Sequence, residues 1–268
     1  MKFSVVTISF NQAEFLTRAI SSVVEQAGVD VEYIVVDPGS TDGSRDIIKL
    51  YDKHLARTVF EADDSPGDGL NNGFRFATGD IYCYLNSDDA FEAGAFDRVN
   101  SYFEANPNVD VVFGNAWIID RKDRRLRRVW SEPFNRIMVA YGAAIQIQPS
   151  TFVRREAFLR SGGFNAANLS NWDGELLIDL FMTGARFGRI NAFLSCYRLH
   201  PVSITSSGKY DQKIAEFARR RFERLMGRPY AWYDAYISRA LRFAKHVRDP
   251  YALFERLRFG PIYRRSMQ

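Results

Sequence analysis

Val31-Glu32-Tyr33-Ile34-Val35-Val36-Asp37-Pro38-Gly39-Ser40, continuing into Thr41-Asp42-Gly43-Ser44, decides the fold. Val31–Val36 is short, apolar and rich in β-branched residues, which suits a strand buried on both faces. Asp37–Ser40 is turn chemistry, and 42–51 then reads as a helix. The same unit recurs on either side. Phe3–Phe10 is a buried strand, and 12–25 is a helix whose apolar residues share one face. Downstream lie a short strand at 58–61, a helix at 69–77 closed by Gly79, a buried strand at 81–85, a helix at 95–105 and a strand at 109–114. Strands alternating with helices predict an α/β protein with a mostly parallel, Rossmann-like sheet flanked by helices. Such sheets bind ligands at the carboxyl ends of their strands, and the polar clusters Ser9–Asn11, Asp37–Asp42 and Asn86–Asp89 fall there.

Beyond about residue 115 the pattern changes. Residues 116–130 read as a two-stranded ribbon turning at 120–125, and 133–142 is weakly helical. A strand at 149–154, a helical turn at 156–161, a helix at 173–182 and a strand at 189–197 follow. From Asp211 onward helices dominate, broken at Gly227–Pro229 and Asp249-Pro250. The expected division is a body of residues 1–207, with halves 1–115 and 116–207, and a basic amphipathic helical extension, 208–268.

The 268 residues carry a net charge of +4 that is unevenly spread. Residues 211–268 hold fourteen Lys and Arg against six Asp and Glu, and residues 1–210 hold twenty-two against twenty-six. An acidic body suits a cation and a basic tail suits an anionic surface, whereas an evenly basic chain would have pointed to nucleic acid. Two cysteines exclude a disulfide scaffold and a cysteine-only zinc site. No run of 18 apolar residues is present, and the first apolar run is too short for a signal peptide, so the expected location is cytoplasmic.

Three clusters and one histidine carry candidate chemistry. Asn86-Ser87-Asp88-Asp89 ends a strand, where hard oxygen ligands suit magnesium or manganese bound with a phosphate. Alternatively, Asp88 or Asp89 caps the following helix. The stretch from Asp37 to Gly43 lacks the spacing of an EF-hand and the Lys of a P-loop. It reads as a tight turn and helix cap in which Asp37 could also accept hydrogen bonds from a nucleotide base. Asp173-Gly174-Glu175 opens a helix, so both carboxylates feel the favourable dipole end whatever else they do. His200, just after a strand, reads as a hydrogen-bonding residue or a metal ligand.

Taken in order, these segments resemble family 2 glycosyltransferases of the GT-A, nucleotide-diphospho-sugar transferase fold. Residues 6–11 resemble the opening strand and nucleotide loop, 35–44 the family's "VVDgGStDGS" stretch, and 68–73 with 77–80 its "DAMNKGi…ATGe" stretch. Residues 84–89 resemble the metal-binding DXD segment, and 151–155, 162–164 and 173–177 the acceptor half. The resemblance covers about residues 1–207. It implies that Thr7, Ser9 and Asn11 line the nucleotide pocket and that Asp37 holds the base, uracil or thymine. It places Asp68 and Asn71 near the diphosphate or sugar, with Asn86 and Ser87 beside the donor. Asp88, with His200 as a second candidate, would hold a divalent cation, manganese or magnesium. Asp173 would be the general base, with Glu175 next in line.

The chain departs from the pattern at Asn86, an amide where the triplet has an acid, at 64–67, and at Gln148 before Pro149-Ser150-Thr151-Phe152. The implied reaction is an inverting, metal-dependent transfer of a sugar from a UDP- or dTDP-linked donor to a glycan or lipid-linked acceptor in surface polysaccharide synthesis. The alternatives are a nucleotidyltransferase, which would want a Gly-rich basic loop absent after the first strand, and a nucleotide-sugar-binding protein without activity. Arginines interleaved with aromatics in the tail fit a helix on the inner face of the cell membrane or a cap or homodimer contact. Nucleic acid is not expected as a partner.

Overall fold

The computed structural model describes residues 1–200, 211–248 and 250–260. Its strands are β1 Lys2–Ile8, β2 Asp30–Val36, β3 Arg57–Val59, β4 Ile81–Asn86, β5 Ala90–Phe91, β6 Val111–Ile119, β7 Arg125–Val129, β8 Thr151–Arg154 and β9 Phe187–Arg198. The helices of the body are α1 Ala13–Val24, α2 Ser44–Leu50, α3 Pro66–Phe74, α4 Ala95–Ala105, α5 Arg136–Ala140, α6 Arg155–Ser161 and α7 Trp172–Met182. Three more follow: α8 Asp211–Met226, α9 Asp234–Arg248 and α10 Pro250–Phe259.

One sheet holds all nine strands in the order β3-β2-β1-β4-β8-β6-β9-β5, with β7 paired to β6. β3, β2, β1 and β4 are mutually parallel, as the alternation predicted. The continuation differs. β6 does not join β4 directly, because β8 lies between them and is antiparallel to both. The chain passes from β1 to β2 on one side and reaches β4 on the other. That divergence opens a crevice beyond the carboxyl ends of β1 and β4.

Side chains alternate across the sheet. Phe3, Val5, Tyr33, Val35, Ile81, Cys83 and Leu85 face α1 and α4, in a core that includes Leu16, Ile20, Phe96 and Phe103. Val6, Ile34, Val36, Tyr82 and Tyr84 face α3, α6 and α7. α3 sits so close that a Cβ on Gly73 would lie 2.5 Å from Val6 Cγ1. Ser65 caps this helix by accepting from the Asp68 N–H at 3.1 Å, and Pro66 supplies a preset first residue. The helix therefore begins three residues before the apolar pattern suggests.

The tail docks on the body along one face. Phe217, Phe222 and Leu225 of α8 are buried with Val139, Tyr141 and Ile178. Tyr141 donates to Asp234 at 2.6 Å, and Arg228 pairs with the same carboxylate at 2.7 Å. Arg228 and the Tyr141 hydroxyl hold Asp234 well below the ordinary carboxylate range, against the opposing effect of burial. Phe222→Ala is expected to cost about 3–5 kcal/mol, because the ring is almost fully enclosed. A thermal melt of the full chain reads the loss.

Candidate active site

A cavity of about 910 Å³ occupies the crevice, a size that accommodates a nucleotide-sized ligand. Ile8 and Ser9 line it from the end of β1, Pro38 from the end of β2, and Asn86, Ser87, Asp88 and Asp89 from the end of β4. Asp63–Pro66, 145–148 and Ser170–Asp173 close the remaining sides.

Asp88 and His200, 112 residues apart, meet here: His200 Nε2 lies 2.9 Å from Asp88 Oδ2. His200 is buried against the Phe15 ring, with centroids 5.1 Å apart, and its Nδ1 has no partner among the described residues. Arg198 fixes the loop beneath. Its side chain is 1% exposed and lies 4.7 Å over Phe15. It donates to the Asp88 carbonyl at 2.6 Å, to the Asp120 carbonyl at 2.5 Å and to Asp123 Oδ1 at 2.5 Å. Asp89 does not cap α4, whose N-cap is Gly94. Instead it accepts from the Arg198 N–H at 2.8 Å. Burial, and then the neighbouring Asp88, push its carboxyl well above the ordinary range. Asn86 donates to Gln148 Oε1 at 3.2 Å, and Gln148 donates to the Tyr84 carbonyl at 3.0 Å, so two departures from the family pattern are partners.

Among the described residues no three His, Cys, Asp or Glu side chains converge as a closed metal cage. Asp88 lines the cavity with His200 buried behind it, and a carboxylate backed by an imidazole fits a divalent cation whose other ligands are phosphate oxygens and water. The His200 nitrogen that would share a cation with Asp88 is Nε2, in exchange for their hydrogen bond, since Nδ1 points away from that carboxylate.

Asp173, which also lines the cavity, occupies the first turn of α7. Its carboxylate keeps partial access to the cavity, yet protein surrounds it densely. Burial raises its pKa, opposed by the N–H groups of Gly174 and Asp173 itself. Glu175 lies elsewhere. Its Oε2 accepts from Asn168 at 2.6 Å and Asn165 at 3.2 Å, and Arg224 approaches its other oxygen at 3.9 Å. Those contacts make Glu175 a brace for the 165–171 loop, not a base in the cavity.

The nucleotide-side residues divide as well. Ser9 lines the cavity, and its Oγ is buried without a partner among the described residues. Asp37 is fully buried. Its Oδ1 accepts from the N–H groups of Gly39 and Ser40 and from Arg45, while Oδ2 is buried without a partner among the described residues. Buried polar atoms are almost always satisfied, so Ser9 Oγ, which lines the cavity, calls for a ligand partner, whereas Asp37 lies behind Pro38 and is not among the lining residues. Thr7 is a correction. It shares the Phe3 and Val5 face and accepts from the Tyr33 hydroxyl at 2.9 Å inside the core, away from the cavity. Asn11, in a left-handed conformation, bridges loops by accepting from the Thr41 N–H at 2.9 Å.

Asp68 and Asn71 also lie behind the cavity wall. Asp68 Oδ2 accepts from the Asp64 N–H at 3.1 Å. Asn71 clamps Phe164, donating to its carbonyl at 2.8 Å and accepting from its N–H at 3.0 Å. Asn71→Ala is expected to cost about 1–3 kcal/mol through the two stranded backbone groups, a loss that chemical denaturation would measure. The residue missed is Asp63. It lines the cavity, and burial, then Asp68, Asp64 and Asp37, raise its pKa to about 6. The acidic run at 61–64, between a strand end and a helix, was the available signal.

This architecture is that of GT-A glycosyltransferases, and solved structures share it. TarS 1–349 of S. aureus in complex with UDP-GlcNAc superposes with a TM-score of 0.70 at 16% identity, over 97% of this chain and 73% of that one. The mannosyltransferase PcManGT of Pyrobaculum calidifontis, in complex with GDP-Man and Mn2+, gives 0.64 at 18%, over 96% and 73%. The family model Glycosyl transferase family 2 matches residues 4–161, and the chain belongs to that family. An uncharacterised glycosyltransferase of Nostoc sp. is 28% identical over 211 residues, which is 75% of this chain and 65% of that protein. The chain thus spans slightly under two thirds of that relative. A GalNAc(5)-diNAcBac-PP-undecaprenol beta-1,3-glucosyltransferase of Campylobacter jejuni is 31% identical over 121 residues, 44% of this chain and 38% of that one.

Proposed function

We propose that this chain transfers a sugar, with inversion, from a UDP- or dTDP-linked donor to a glycan or lipid-linked acceptor in surface polysaccharide synthesis. The observation that carries this reading is that Asp88, paired with His200, and Asp173 line one cavity. In the proposed arrangement, Asp37 Oδ2 accepts from a base N–H, and Ser9 bonds the nucleoside beside it. Asp88, with His200, would hold manganese or magnesium. A bound cation there supplies neutralisation of charge on the departing diphosphate. Asp173 takes the acceptor hydroxyl proton as that oxygen attacks the anomeric carbon from the far side. A single displacement of this kind inverts the configuration.

Residues 1–207 serve as the catalytic body and 208–268 as an extension that keeps the protein at the inner face of the cell membrane. The lipid-linked substrate in the Campylobacter relative's name supports that location. A thermal-shift screen of nucleotide diphosphates and their sugars with manganese tests the donor. A ligand at 100 times its Kd stabilises the fold by about 2.7 kcal/mol. Stabilisation by a uridine or thymidine diphosphate is the expected result, and no shift with any nucleotide would contradict the proposal.

A further inference from the structure

α9 is amphipathic in two directions. One side is docked: Asp234 holds Tyr141, Ser238 donates to the Tyr141 carbonyl at 3.1 Å, and Lys245 pairs with Glu132 at 2.6 Å. The opposite side carries Tyr236, Arg239, Phe243 and Val247, spaced by three and four residues along one stripe. Phe243 is 72% exposed, and Trp232, just ahead of the helix, 79%. α10 adds Tyr251, Phe254 and Leu257, each more than half exposed. Outward aromatic and aliphatic side chains on consecutive helices are too many to be scattered surface residues.

The charge around this stripe has one sign. Arg239, Arg242, Arg256 and Arg258 are exposed. The described carboxylates of the two helices, Asp234 and Glu255, are buried and paired with Arg228 and Arg128. Arg242 and Arg221 also converge on Gly142. A Cβ there would lie 2.7 Å from Arg221 Nη2 and 3.7 Å from Arg242 Nη2. Neither arginine has a carboxylate partner among the described residues, and Arg221 Nε is buried without an acceptor.

We propose that the outward face of α9 and α10 docks on an anionic phospholipid bilayer, the aromatics entering the headgroup boundary and the arginines meeting lipid phosphates. It deepens the location proposed above and does not depend on the transfer reaction. A second copy fits poorly, because a twofold contact sets this arginine-rich face against itself. Nucleic acid fits poorly too, because bases stack on aromatic rings but gain nothing from Val247 and Leu257. A basic, aromatic helix face with no exposed acid among its described residues is suited to an anionic membrane interface.

Flotation of the full chain tests this with vesicles of phosphatidylcholine alone or with about 30 mol% phosphatidylglycerol. Binding is expected to the anionic vesicles only, and to fall as salt rises. Arg239→Gln with Arg258→Gln should weaken it about thirtyfold, roughly fivefold for each arginine. Tyr236→Ser with Phe243→Ser should weaken it even at low salt. All these side chains are exposed, so circular dichroism and the nucleotide-induced thermal shift should match those of the parent. Equal binding to both vesicle types, unchanged binding by either variant, tighter binding to an RNA duplex, or a dimer split by the Tyr236/Phe243 change would each overturn the proposal. Donor binding without vesicle binding refutes this inference alone, whereas vesicle binding without donor binding refutes the proposed reaction alone.

Discussion

Asp173→Asn is expected to slow sugar transfer by ~10²–10⁴-fold while leaving donor affinity nearly unchanged. The amide keeps the shape of the side chain and its bonds to the first-turn N–H groups, but it cannot take a proton. A loss confined to kcat is the mark of an interaction made only in the transition state. Glu175→Gln is the matched control and should retain transfer, because Glu175 accepts from Asn165 and Asn168 and does not line the cavity. The pH profile gives the same test a second readout. Burial raises the Asp173 pKa, so its basic form is lost as pH falls through a value higher than that of an ordinary aspartate. The acid limb of kcat/KM should therefore be displaced upward, and its Asp173 component should be missing from the residual rate of Asp173→Asn.

Asp88→Ala is expected to lower kcat/KM by ~10²–10³-fold, equivalent to about 3–4 kcal/mol. The affected quantity is the stabilisation of charge on the leaving diphosphate. The manganese dependence of donor binding should flatten in parallel, which calorimetry with and without the metal would read. Loss of the carboxylate also removes the partner of the buried His200, 2.9 Å away, so a small drop in thermal stability should accompany the kinetic loss. Arg198 should continue to hold the loop in this variant, because it grips the carbonyl of residue 88 and not the side chain.

How much of this was legible in the sequence follows from the range of each interaction. Of the four parallel strands, β1, β2 and β4 were readable because each contains an apolar, β-branched or aromatic run bounded by turn residues, whereas β3 is only Arg57-Thr58-Val59. Insertion of β8 between β4 and β6 was not, because antiparallel pairing between distant segments leaves no local pattern. β5 has two residues, too few for any periodicity. The Thr7 error was avoidable: the residue shares the parity of Phe3 and Val5, which places it on the core face. The choice between Asp173 and Glu175 also had a geometric answer. Two helix positions are about 200° apart, so only one can face a given cavity. Asn71 was opaque, because an amide that clamps a loop and one that bonds a ligand look alike until the loop is placed. The meeting of Asp88 and His200 lay beyond spacing arguments altogether, since β9 carries the histidine back to the end of β4.

The most direct measurement is release of nucleoside diphosphate from a UDP- or dTDP-sugar with manganese, comparing the parent chain with Asp88→Ala and Asp173→Asn. Metal-dependent release by the parent, lost in both variants, is the predicted result. Full activity in both variants, or release of pyrophosphate from a nucleoside triphosphate instead, would contradict it.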